Sequence, residues 1–323
     1  MSASLARFGL AVGHATDAAG GTGCTVIRGV DGAHRGAVAV IGRATGAREL
    51  TLLEPGHLVE RVDAILLAGG SAYGLDAAAG VMRWMEARGR GFPVGPGVVP
   101  IVPAAVLFDL GPIGDFRARP TPEMAERACE EAESTGIAEG SVGAGTGLTV
   151  GKLLGKPGMM KGGFGLAVEE GPGCAAAAMV AVNAFGDVRG ADGRIIAGAR
   201  RPDGAFVDTE AMLRATDGDR RFGAAAAPNT TLAVVAVDAA FSKVELHQLA
   251  KAATAAYHRR LAPAGSSFDG DIVFALSPLE GPRAPLAQAE MLAVAALEAA
   301  IERAVRLARG RDGVPGLADG VVA

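Results

Sequence analysis

Seven short apolar runs rich in β-branched residues constrain the fold more than any other feature of the chain: Cys24–Ile27, Ala37–Ile41, Ala64–Leu67, Gly165–Val168, Met179–Val182, Thr231–Val237 and Ile272–Leu276. Each is bounded by Gly, Asp or Pro and therefore reads as a strand. Helical periodicity occupies Leu75–Glu86, Pro122–Ser134, Thr209–Ala215, Ser242–His258 and Pro285–Ala308. The helix at Ser242 opens on a capping box, with Glu245 three residues on. Strands come early, helices follow in blocks, and no βαβ alternation or fixed-period repeat is visible. That order predicts a layered α+β fold over a doubly wound one. No low-complexity linker divides the 323 residues, so a single domain is expected. The least regular stretches, Gly111–Pro120, Ala138–Gly163 and Gly190–Ala227 apart from its one short helix, read as surface loops that carry a site or a processing point.

Charge and composition exclude several classes. The 35 acids and 31 bases are interspersed and give a net charge of -4, which leaves no footprint for a phosphate backbone; at 4% aromatics the chain also lacks a base-stacking platform, so nucleic acid is not an expected partner. The opening MSASLARFGLAVGHATD has no apolar core for a signal peptide. The longest apolar stretch, Cys174–Phe185, contains Asn183 and falls short of the ~20 residues a membrane span needs. A cytoplasmic protein with no membrane partner is the expectation. Cys24, Cys129 and Cys174 show no CxxC spacing and read as reduced, mostly buried thiols. His14, His34, His57, His247 and His258 lack metal-ligand spacing, with His247 and His258 expected on the surface of the Ser242 helix. Neither a metal nor a cofactor is predicted.

The conspicuous local sequence is Pro228-Asn229-Thr230-Thr231-Leu232, running directly into a strand. A Thr at that point can set its hydroxyl above the preceding carbonyl. Attack by Thr230 Oγ1 on Asn229 would turn the amide into an ester, and hydrolysis would free the Thr230 α-amino group. An amine with an intrinsic pKa of about 7.7–8.0 would then be a general base attached to its own nucleophile. The ordinary alternative is that Thr-Thr simply opens a strand. Asp269-Gly270-Asp271 enters the next strand with both carboxylates on one face, where their charges repel and donors must hold one of them; the ammonium and hydroxyl of a processed Thr230 are natural donors. A polar turn or a calcium-loop fragment is the alternative, although the remaining ligands of such a loop are missing. Gly143-Ala-Gly-Thr-Gly147 with Gly151-Lys152 fails as a phosphate loop, since Thr146 stands where its first Gly belongs and Leu153 where Ser or Thr should follow the Lys. Lys152 is left as a solvated lysine or a charge brought close to backbone. Asn183, inside an apolar run, either pins backbone or donates to an oxyanion. Gly69-Gly70-Ser71-Ala72-Tyr73-Gly74, between a strand and a helix, would aim N–H groups at an anion.

Together and in this order these segments resemble one family. They are Val12-Gly-His-Ala-Thr16 with Thr22-Gly-Cys-Thr25, Leu67-Ala-Gly-Gly-Ser-Ala-Tyr-Gly-Leu75, the Gly143 and Lys152 segments, Val182-Asn183, Asn229-Thr230-Thr231 and Asp269-Gly-Asp271. The family is the N-terminal-nucleophile peptidases that include L-aminopeptidase/D-amidase-esterases, β-peptidyl aminopeptidases and aminohexanoate-oligomer (nylon-oligomer) hydrolases. The resemblance implies a four-layer α/β/β/α sandwich of ornithine-acetyltransferase-like topology. It also implies autocleavage into residues 1–229 and 230–323, which stay together and assemble as dimers or tetramers. It makes Thr230 the nucleophile, Asp269 and Asp271 the groups orienting its amine, Lys152 an electrostatic aid and Asn183 an oxyanion or amine partner. Phe108, Tyr73, Gly70 and Ser71 are the substrate-pocket candidates. The Asn-Thr-Thr and Asp-Gly-Asp pair is closer to the nylon-oligomer hydrolases, which tilts the expected substrate, a small peptide or linear amide, toward amides of ω-amino acids. Phe108 departs from the pattern, since related hydrolases have Tyr there, and the lost hydroxyl removes one hydrogen bond of order ~1 kcal/mol. The competing expectations are an acyltransferase of the ornithine acetyltransferase type and a catalytically silent oligomeric binding protein.

Overall fold

In the computed structural model, which describes residues 4–215, 229–267 and 269–320, the apolar runs pair into two main sheets. In chain order their strands are β1 (Leu10–Asp17), β2 (Thr22–Gly29), β3 (His34–Val40), β4 (Ala47–Arg48), β5 (Arg61–Val62), β6 (Ala64–Ala68), β7 (Ala104–Val106), β8 (Gly163–Glu170), β9 (Ala175–Val182), β10 (Leu232–Val237) and β11 (Ile272–Ser277). The first sheet has the order β1-β2-β6-β7-β4 and the second β8-β9-β10-β11-β3-β5. The helices are α1 (Ala78–Glu86), α2 (Pro122–Glu130), α3 (Thr209–Ala215), α4 (Lys243–Ala253), α5 (Ala255–Arg260) and α6 (Leu286–Arg306).

Because side chains alternate along a strand, each sheet offers two apolar faces, and both are covered. Leu10, Val12, Ile27, Ile65 and Leu67 of the first sheet meet Phe164, Met179, Leu232, Val234, Ile272 and Phe274 of the second in one shared core. The alternate residues of the second sheet, among them Ala176, Ala178, Val180, Val235 and Val273, pack under α4, α5 and α6. Those of the first, including Cys24, Val26 and Leu66, pack under α1 and α2. The result is the expected four-layer α/β/β/α sandwich. Alanine dominates β9, where small side chains let α6 lie close on the sheet. Each of the three cysteines is free and buried.

Several boundaries differ from expectation for visible reasons. The predicted strands omitted β1, whose Gly13, His14 and Asp17 interrupt its apolar pattern. Gly13 is required there, since a β-carbon would lie 1.8 Å from Ala128 O of α2. The Leu75–Glu86 helix starts earlier, as a 3-10 turn over Ser71–Ala77 that passes into α1. The Pro122–Ser134 helix stops at Glu130, because Glu133 bridges to Val12 and Ser134 Oγ donates to Leu10 O. The Ser242–His258 helix keeps its capping box but breaks at Thr254. His258 is exposed as expected, whereas His247 is half-buried. Pro228, Phe268 and the part of the Gly190–Ala227 loop from residue 216 onward lie outside the described residues. Among the described residues no helix is long and apolar enough to cross a membrane.

Phe274 is fully buried between the sheets. Phe274→Ala is expected to cost about 3–5 kcal/mol through lost contacts and a residual cavity, read as a lowered urea midpoint with little change in slope.

Candidate active site

Strands β10 and β11 run parallel, with Leu232 opposite Ile272. Parallel pairing brings both strand beginnings to one edge of the sheet, so residues about forty apart in sequence become neighbours. Asn229 bridges to Asp269 just ahead of the ladder. On the other flank β9 runs antiparallel to β10 with Ala181 opposite Leu232, so its last residues deliver Asn183 to the same edge. Strand β3, antiparallel to β11 with Val40 opposite Ile272, ends there too. Thus Thr230, Asn183, Asp269 and Asp271 converge because β9, β10 and β11 bring them to one rim, with the end of β3 beside it.

At its centre is the Asn229–Thr230 peptide bond. The Asn229 carbonyl oxygen accepts from the Gly270 N–H at 2.7 Å and from the Thr230 hydroxyl at 2.6 Å. Thr230 N–H donates to Asn183 O at 3.3 Å. Lys152 Nζ donates to that same carbonyl at 3.0 Å and to Asn183 Oδ1 at 2.9 Å, which places the ammonium one shared acceptor from the Thr230 nitrogen. Asn183 Oδ1 also takes Thr149 N–H at 3.1 Å, and two donors on one atom fix which end of the amide is oxygen. Its Nδ2 donates to Phe108 O at 3.0 Å. Asn183 therefore holds backbone on both sides, while the Gly270 N–H and the Thr230 hydroxyl are the donors on the Asn229 oxygen.

The charges are buried and compensating. Asp271 Oδ1 accepts Thr231 N–H at 2.7 Å and Oδ2 accepts Gly265 N–H at 3.1 Å, while Asp269 Oδ2 accepts Ser266 N–H at 2.7 Å. In the intact chain the donors to the two carboxylates are thus backbone amides, not Thr230. Burial, then the neighbouring Asp269 charge, push the Asp271 carboxyl well above the usual carboxylate range. Burial pulls Lys152 down to about 7, and the two aspartates act in the opposite direction. Lys152 is therefore no solvated lysine but a buried amine that changes charge near neutrality. Beneath the strands, the fully buried Tyr257 places its hydroxyl 3.1 Å from Thr231 O and 3.0 Å from Ile272 O, joining the residue just ahead of β10 to the first residue of β11.

The first sheet also reaches the site. Phe108 follows β7 and reaches Asn183 through its carbonyl. The Gly70 N–H, expected to face an external anion, donates to the Asp109 carboxylate at 2.6 Å, and Ser71 N–H donates to Leu107 O at 2.9 Å. Ser71 takes a left-handed φ of 52°, and Tyr73 is 60% exposed with Arg119 stacked 3.8 Å from its ring. The N–H groups of Gly70 and Ser71 are thus already engaged internally. Sequence reasoning missed Gly270 and Tyr257. Gly270 had one signal, since a glycine between two acids at a strand start permits close approach: a β-carbon there would lie 2.7 Å from Thr230 Oγ1. Among the described residues no group of His, Cys, Asp and Glu could hold a metal.

Comparison with known proteins agrees with this architecture. The profile of peptidase family S58 matches residues 8–314. An uncharacterized aminopeptidase of Mycobacterium leprae is 42% identical over 258 residues, spanning 75% of this chain and 67% of the relative. A 6-aminohexanoate-oligomer endohydrolase of a Kocuria species is 30% identical over 282 residues, 83% of this chain and 73% of its own. The structure of the L-aminopeptidase D-Ala-esterase/amidase of Ochrobactrum anthropi, a variant of the N-terminal-nucleophile hydrolase fold, superposes with a TM-score of 0.70 at 19% identity, covering 98% of this chain and 90% of that one. The chain belongs to peptidase family S58. It has the N-terminal-nucleophile hydrolase fold and is an amide hydrolase acting on peptide or amide bonds. Neither alternative, acyltransferase or silent binding protein, finds support in these relatives.

The Asp271 shift has a consequence for stability. Burial and the Asp269 charge hold its folded pKa above the unfolded value of 3.8, so its favourable contribution is complete below pH 3.8 and is lost as pH rises toward the folded pKa. In a Thr230→Ala background, where the peptide bond is held intact, Asp271→Asn should flatten the fall in unfolding free energy between pH 5 and 7.5. Equal slopes with and without Asp271 would contradict the assignment; urea titrations at the two pH values read it.

Proposed function

We propose that the chain cleaves itself between Asn229 and Thr230 and then hydrolyses amides through an acyl ester on Thr230. The single observation that carries this reading is the pair of donors on the Asn229 carbonyl oxygen, the Gly270 N–H at 2.7 Å and the Thr230 hydroxyl at 2.6 Å. A preorganised N–H on an oxygen that becomes negative during attack stabilises the tetrahedral intermediate more than the ground state, an effect of about 3–4 kcal/mol where such donors have been removed. Thr230 Oγ1 attacks the Asn229 carbonyl carbon, the C–N bond breaks, and the hydroxyl proton ends on the leaving Thr230 nitrogen. Lys152, a buried amine sharing the Asn183 carbonyl with that nitrogen, supplies charge beside it as the proton moves from oxygen to nitrogen. Water then hydrolyses the ester, leaving an Asn229 carboxylate and a free Thr230 amine.

In the processed enzyme the amine takes the Thr230 hydroxyl proton as a substrate amide is attacked. Asp269 and Asp271 orient the resulting ammonium, Lys152 balances their charge, and the Gly270 N–H with the side-chain amide of Asn183 receives the oxyanion. Phe108, Gly70, Ser71 and Tyr73 line the substrate side. Residues 1–229 and 230–323 stay together, since the second piece contributes β10 and β11 to the middle of a sheet whose flanking β9 and β3 belong to the first. The substrates are small peptides or linear amides of ω-amino acids, in keeping with the aminopeptidase and oligomer-hydrolase names of the relatives. Assembly into dimers or tetramers, on the strength of the sequence resemblance, and a cytoplasmic location complete the reading.

A slowly hydrolysed amide or ester should add its acyl mass to the fragment beginning at Thr230, at Thr230 itself, and Thr230→Ala should abolish both the adduct and turnover. Undiminished hydrolysis by Thr230→Ala would overturn the proposal.

A further inference from the structure

We infer that Arg43 is a specificity-determining residue that receives a carboxylate of the substrate at the mouth of the site. The inference rests on Thr230 being the nucleophile and adds the charge that the enzyme selects. The turn after β3 is built onto the aspartate pair by four successive backbone donors. Ile41 and Gly42 N–H both donate to Asp271 O, at 3.0 and 3.1 Å, and Arg43 and Ala44 N–H both donate to Asp269 O, at 2.8 and 3.0 Å. Gly42 has no room for a side chain, since a β-carbon would lie 2.2 Å from Asp269 O and 2.3 Å from Asp271 N. The turn therefore has one position relative to the site. A β-carbon placed on Gly270 would lie 2.7 Å from Ala44 O and 2.7 Å from Thr230 Oγ1, so Ala44 and the Thr230 hydroxyl both close on Gly270. Arg43 is the preceding residue.

The chemistry of its side chain fits an anionic ligand. Arg43 is exposed, and its Nη1 donates to Ser267 Oγ at 2.7 Å. No carboxylate among the described residues forms an ion pair with it. Asp269, the nearest acid along the turn, is buried with Oδ2 turned to the Ser266 N–H, and its charge faces Lys152. A guanidinium has five N–H donors in a plane that matches both oxygens of a carboxylate, and a bond to a neutral serine leaves most of them for a ligand. Backbone anchoring holds the Arg43 Cα, and Ser267 restrains the head group, so little side-chain freedom remains to be lost on binding. The free carboxylate of a peptide and that of an ω-amino-acid oligomer present the same group to this fork, and chain length tells them apart.

The test compares free acids with their carboxamides at two chain lengths, L-alanyl-L-alanine and the linear 6-aminohexanoate dimer, on processed wild-type enzyme, Arg43→Gln and Arg43→Lys. Self-cleavage, which needs no external carboxylate, serves as the control and should proceed at the wild-type rate in both variants. The expectation for at least one pair is a wild-type preference for the acid that Arg43→Gln lowers at least about tenfold, through KM, while the carboxamide changes less than about twofold and Arg43→Lys recovers part of the loss. Ligand-observed NMR binding of the same four compounds gives the result independently of turnover. Acids that bind and react no better than carboxamides in the wild type, or an acid-to-amide ratio unchanged by Arg43→Gln, would overturn the inference. Acid-selective binding that depends on Arg43 in a protein that neither cleaves itself nor hydrolyses amides would instead sustain the carboxylate site and remove the proposed function.

Discussion

The parallel pairing of β10 with β11 is the constraint on which everything else at the site depends. It sets Leu232 against Ile272, and the residues preceding each strand are thereby locked side by side: Asn229 with Asp269, and Thr231 with Asp271. The Gly270 N–H can reach the Asn229 carbonyl only in this register. A one-residue slip would turn every side chain of the slipped strand to the opposite face. The register is held by burial on both faces, with Val234 and Phe274 in the inter-sheet core and Val235 and Val273 under the helices. Tyr257 fixes it again at the strand ends from α5. Chemistry at the rim thus takes its precision from apolar packing that contains no reactive group.

Electrostatics imposes a second condition. Two carboxylates and one ammonium are all almost entirely removed from water, an arrangement that is costly unless the charges compensate and every oxygen finds a donor. The carboxylates accept backbone amides from Thr231, Gly265 and Ser266, and Lys152 is pinned by both oxygens of Asn183. The residual mismatch appears as opposed shifts, Lys152 pulled down to about 7 and Asp271 pushed up. Groups poised near neutrality are the ones able to exchange protons at physiological pH. A second buried lysine, Lys161, is also pulled down to about 7, but it donates to Thr146 O and Leu148 O and serves to close the glycine-rich loop.

The strands that make the core were legible because their residues are apolar on both faces: Thr231–Val237 and Ile272–Leu276 each lie within a residue of the observed bounds. β1 was not, since its Gly13 answers to close contact with α2 and its His14 to hydrogen bonds with Thr25 and Ala138, neither of which leaves a periodic pattern. The residues at the site were legible by type and by family resemblance. Their partners were not. Which carbonyl takes the Gly270 N–H, that Asn183 spans Phe108 and Lys152, and that the Gly70 N–H is spent on Asp109 are facts of backbone register and loop closure, set by contacts dozens of residues apart. Tyr257 is equally silent in sequence, an aromatic on a helix face like any other core residue until the strands beneath it are placed.

In the intact chain the Asn229 carbonyl oxygen already holds both the Gly270 N–H and the Thr230 hydroxyl, the two groups that the proposed self-cleavage requires. Among the described residues neither end of the buried Asn229 side-chain amide has a partner, a cost of order 1–3 kcal/mol that weighs on the uncut state and is relieved if Asn229 is released. The most direct test of the central claim is the intact mass and N-terminal sequence of freshly purified protein, followed over time beside a Thr230→Ala control. The account predicts two pieces, the smaller beginning Thr230-Thr231-Leu232, with the control remaining one chain. A single uncut chain after prolonged incubation, or cleavage that proceeds equally in Thr230→Ala, would contradict it.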